Sequence, residues 1–117
     1  MVTELLVGPK ISDGRKLLRR LDRAGLQIQA AFWNREEETD RWKLVLATPL
    51  VGKLGLVEVI DRIIAAATPA LKDSLLVFDV TVTDMKDRRV RALMESYKTG
   101  PGIHGIGMTD AYLYRVM

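Results

Sequence analysis

The spacing of apolar residues changes period several times along this chain, and no Pro/Gly/Ser-rich linker or repeat separates one period from the next. Leu17, Leu18 and Leu21 recur at helical spacing. Gln27 to Asn34 and Arg41 to Thr48 are rich in β-branched and aromatic residues, as strands are. Leu56, Val59, Ile60, Ile63, Ile64 and Ala67 return to helical spacing, and Leu75 to Thr83 then alternates, with Leu76, Phe78, Val80 and Val82 on one face. Helix stripes and strand faces that follow one another this closely must bury each other, which requires layered α+β packing.

The local signals place the elements. Ser12 is a candidate N-cap for the first helix, and Gly25 stands where a left-handed closing residue is wanted. Pro49 stops the second strand, and a loop over Pro49 to Lys53 leads to a helix from about Leu54 to Ala67. Asp84 is placed to cap a third helix, Met85 to Tyr97, striped by Val90, Leu93, Met94 and Tyr97, and Ala111 to Val116 reads as a last strand. The order α-β-β-α-β-α-β predicts a single α+β domain over residues 1–117. Its sheet is expected to be four-stranded and largely antiparallel, with helices mainly on one face. A two-residue turn at Glu37-Glu38 would set Trp33 opposite Trp42; with no glycine or asparagine there, a longer loop is equally open.

A chain of 117 residues suits one core, and its lack of cysteine excludes a disulfide framework, thiol chemistry and cysteine zinc sites. The apolar run Leu54 to Ala67 carries Glu58, Asp61 and Arg62 and falls short of the roughly 20 residues of a membrane span. Met1-Val2-Thr3-Glu4 has no basic segment followed by a long apolar run, so a cytoplasmic protein without a membrane partner is expected. Walker, Rossmann and G-x-S-x-G patterns are missing, and His104 is the sole histidine, so no metal site or cofactor is expected.

Four places remain for function. Asp79, Thr81, Thr83, Gln27, Gln29, Thr48 and Arg115 suggest a half-polar second sheet face, which is solvated surface, a dimer interface or a ligand floor. Trp33 and Trp42 are core or interface anchors. Lys98 to Gly107 holds four glycines whose amides could face an anion, and His104 with Asp110 forms a candidate acid–base pair. Arg115, Asp110, His104 and Asp79 are the candidate ligand-binding set. Finally, with a net charge of +3, the basic residues gather in two helices. Arg15, Arg19, Arg20, Arg23, Arg88 and Arg91 are the candidate surface for nucleic acid or another anionic partner. The carboxylates Glu36, Glu37, Glu38 and Asp40 read as a solvated hairpin tip.

The segments Gly14-x-x-Leu17-Leu18-x-x-Leu21, Gly25, Ala31-Phe32-Trp33, Trp42-Lys43-Leu44, Thr48-Pro49-Leu50-Val51 and Asp110-Ala111-Tyr112-Leu113-Tyr114-Arg115 together resemble a family of small uncharacterised prokaryotic proteins. The resemblance spans most of the chain and implies a self-contained domain. It transfers no catalytic residue. The leading expectation is a non-enzymatic binding or protein-interaction module that self-associates, as a dimer, through an exposed sheet face or edge. The alternatives are a small enzyme or ligand-binding protein with a site between the sheet face and the Gly100 to Gly107 loop, and a nucleic-acid-associated protein using its basic helices.

Overall fold

Helix α1 (Gly8–Arg23) buries Gly14, Leu17, Leu18 and Leu21 along one stripe in a computed structural model that describes residues 8–67 and 79–117. Its end follows the expected chemistry. Gly25 takes φ +73°, and the Leu26 amide donates back to the Leu21 carbonyl at 3.1 Å. Its start does not, because the helix already runs from Gly8 and Ser12 lies inside it.

Strands β1 (Ala30–Arg35) and β2 (Trp42–Ala47) form the expected hairpin, but around the longer of the two turns. Asp40 adopts φ +56°, and the Glu36 amide donates to Arg41 O at 2.8 Å, closing a loop over residues 37–40. The register is two residues from the one a Glu37-Glu38 turn imposes: Trp33 faces Leu44, and Trp42 faces Arg35. A shift of two preserves the face, so both tryptophans remain on the same side of the sheet.

A five-residue helix α2 (Leu50–Leu54) occupies the expected loop, and Gly55 at φ +86° separates it from α3 (Leu56–Ala67). Thr48 organises this corner. Its buried hydroxyl donates to the Leu26 carbonyl at 3.0 Å and accepts from the Leu50 amide at 3.2 Å. The chain then returns as β3 (Val80–Thr83), followed by α4 (Arg88–Ser96), β4 (Ile106–Gly107) and β5 (Ala111–Val116). Expected strand residues Leu75 to Phe78 lie outside the described residues.

The sheet has five strands in the order β3-β2-β1-β5-β4, and it is mixed. This corrects the four-stranded, largely antiparallel expectation on two counts. β3 runs parallel to β2, pairing Leu44 with Val80 and Ala47 with Thr83, because a helical crossover intervenes and returns the chain in the same direction. β4 is the extra strand, two residues from the glycine-rich stretch that pair with Leu113 and Tyr112.

Both faces are covered. Leu17, Leu18, Leu21, Val59 and Ile63 of α1 and α3 pack with Ala31, Trp33, Trp42, Leu44, Leu46 and Tyr114. On the other face Ala30, Phe32, Val45, Ala47, Leu113 and Val116 are fully buried with Val90, against which Met85, Leu93, Met108 and Ala111 pack. The second face is therefore an apolar layer under α4 and not an open half-polar surface. α4 is also shorter than expected: Asp87, not Asp84, is its cap, accepting from the Arg89 amide.

Candidate functional site

The pairing of β1 with β5 shifts by one residue: Ala31 faces Arg115 while Phe32 faces Leu113, leaving Tyr114 as an extra residue. Such a bulge turns two consecutive side chains to one side. Here Tyr114 and Arg115 both reach toward α1.

Tyr114 passes directly beneath the helix. Its hydroxyl accepts a hydrogen bond from Trp33 Nε1 at 2.9 Å and donates to the Ile11 carbonyl. Burial pushes its phenol up to about 12. A Cβ on Gly14 would lie 2.5 Å from that hydroxyl, so glycine is what lets helix and ring approach. Arg15 stands over the Tyr114 ring at 5.8 Å and donates to the Tyr112 hydroxyl at 3.4 Å.

Arg115 is buried and fully engaged. Its two terminal nitrogens grip the Asp22 carboxylate at 2.9 and 2.7 Å, Nη1 also donates to Ile28 O at 2.9 Å, and Nε donates to Gly102 O at 2.7 Å. The remaining candidate ligand residues lie elsewhere. The His104 amide donates to Tyr114 O, and its Nε2 lies 3.1 Å from Pro101 O. Asp110 sits at the opposite end of the β4–β5 hairpin, paired with Arg35 at 2.8 Å, and Asp79 pairs with Lys10 at 3.2 Å. The fold thus brings His104 near Arg115 through the backbone but does not converge Arg115, Asp110, His104 and Asp79 on one point. Of the two roles open to Trp33 and Trp42, core or interface anchor, the structure gives both the first, in the core layer beneath the helices.

The basic residues divide. Because α1 and α4 cover opposite faces of the sheet, Arg88 and Arg91 do not share a surface with Arg19, Arg20 and Arg23. Arg89 is held by Asp87, whose carboxyl the Arg89 side-chain hydrogen bonds keep below its ordinary value. On α1, Lys16, Arg19 and Arg23 are exposed and Arg20 is half-buried.

One surface was not singled out by sequence reading. In α3 only Val59 and Ile63 are buried, while Leu56, Val57 and Ile64 stay exposed, Val57 to 74% and Ile64 to 52%. The signal was present as an apolar arc wider than one packing face needs. Arg62 pairs with Glu58 at 3.0 Å, and the exposed Asp61 borders the flank one turn from both Val57 and Ile64.

No family model matches the chain, and no curated protein and no solved structure is significantly similar to it.

Proposed function

We propose that the protein is a non-enzymatic interaction module that self-associates through the outer flank of α3. One observation carries this reading: Leu56, Val57 and Ile64 of α3 and Leu54 at the end of α2 all expose apolar side chains. Single apolar residues on a surface are ordinary, whereas several exposed along one flank of a helix, rimmed by charged residues, are a feature of interfaces. An identical copy supplies an apolar stripe of the same length, and self-complementary contact of this kind closes as a two-fold dimer. The sheet faces offer no equivalent among the described residues, since the central strands β1, β2 and β5 are covered by helices on both sides.

Light scattering on the purified chain at micromolar concentration is expected to give twice the chain mass. Val57→Glu with Ile64→Glu is expected to give a monomer that keeps the folded circular-dichroism spectrum, because neither side chain is part of the core. A wild-type monomer at that concentration overturns the reading.

A further inference from the structure

Helix α1 turns four cations outward. At about 100° per residue, Lys16, Arg19, Arg20 and Arg23 fall within one arc of about 100°, opposite the buried stripe of Gly14, Leu17, Leu18 and Leu21. None of the four makes a hydrogen bond or ion pair with another side chain among the described residues. The nearby carboxylate that would neutralise them, Asp22, is already committed to buried Arg115. Arg20 goes further. Its Nε is buried without any acceptor, the one such side-chain atom among the described residues. A buried guanidinium N–H without a partner is costly, but this one is closed to solvent, so contact with an anion falls first to the exposed Lys16, Arg19 and Arg23.

We propose that this face of α1 binds the phosphate backbone of a nucleic acid. The stripe runs about 10 Å, seven steps at ~1.5 Å each, a length over which one strand of a duplex presents about three phosphates. A protein interface sets aromatic or apolar anchors beside its arginines, and this stripe holds arginine and lysine alone, which favours a phosphate backbone. A membrane surface is disfavoured on the same ground, since peripheral helices pair their basic face with inserted apolar residues. α4 offers no equivalent: Arg89 is tied to Asp87, and Glu95 lies one turn beyond Arg91.

The test uses the full chain and a mixed-sequence 20-base-pair DNA duplex. Three to four phosphate contacts predict that affinity falls by about 40- to 150-fold between 50 and 200 mM salt. Arg19→Glu with Arg23→Glu is compared with Arg88→Glu plus Arg91→Glu. Each pair takes the net charge from +3 to −1 (3 − 4 = −1), so only position distinguishes them. The α1 pair is expected to weaken binding at least about 30-fold at low salt and the α4 pair less than about fivefold. Equal losses, salt-independent binding or no binding overturn the proposal. So does binding to phosphatidylserine vesicles with none to the duplex. Should the glutamate variants fail to fold by circular dichroism, the corresponding glutamine pairs carry the same comparison. Light scattering reads self-association separately, so either proposal can fail alone.

Discussion

Gly14 is the residue on which the α1-to-sheet contact depends. Alanine in a helix interior is ordinarily favoured over glycine by about 1 kcal/mol, so a bare propensity argument predicts stabilisation from Gly14→Ala. The contact at 2.5 Å reverses that sign. Tyr114 cannot swing aside cheaply, because its hydroxyl is held by Trp33 and by the Ile11 carbonyl. Gly14→Ala is expected to destabilise the domain by about 1–3 kcal/mol, the usual cost of overpacking, measured by urea unfolding. Gly14 was visible in the sequence only as part of a motif. Its partner lies 100 residues away, and nothing local announces such a contact. Arg115 was likewise read as a ligand residue, because an arginine in a strand looks functional until the carboxylate from another element is known.

At the scale of elements, the helical stripes and the β1–β2 hairpin were legible because their periods are long and their turn residues adjacent. What was not legible depended on pairing across distance. β4 is too short for any periodic signal, and the parallel β2–β3 seam follows from a strand–helix–strand order whose implication was overlooked. The cap of α4 was misplaced by three residues because Asp84 and Asp87 both suit the role. Asp84 accepts from the Lys86 amide and makes the turn, while Asp87 accepts from the Arg89 amide and also receives the Thr83 hydroxyl. Asp87→Ala is therefore expected to cost about 1 kcal/mol at neutral pH, and Asp84→Ala less. The Asp87 carboxyl is held below its ordinary value chiefly by the Arg89 side chain, with burial opposing. Its contribution is present above the unfolded value near 3.8 and is lost as pH falls through the lower folded value. Thermal melts of the variant and the wild type should accordingly begin to approach below pH 3.8 and meet only below the lower folded value.

For the molecule as a whole, Arg115 joins three regions distant in sequence: α1 through Asp22, the approach to β1 through Ile28 and the glycine-rich loop through Gly102. Removing one partner of a buried ion pair leaves the other charge stranded. The Asp22 side chain is 38% exposed, so Asp22→Ala is expected to cost about 2–3 kcal/mol, below the ~3–5 of a fully buried pair. Hydrogen exchange should then show protection lost in α1, β5 and the 99–105 loop together. A loss confined to α1 would mean that Arg115 finds another acceptor.

The placement of β5 between β1 and β4 also bears on how the protein is made. β1 is complete once residue 35 is synthesised, but its second neighbour ends at residue 116. At 5–20 residues per second the 81 residues between (116 − 35 = 81) take roughly 4–16 s. Through that interval the hairpin leaves the ribosome with an open edge, Trp33 without its phenolic acceptor and Phe32 without Leu113. The nascent chain thus holds apolar groups of β1 uncovered until β5 is available to pair, and the domain closes only then.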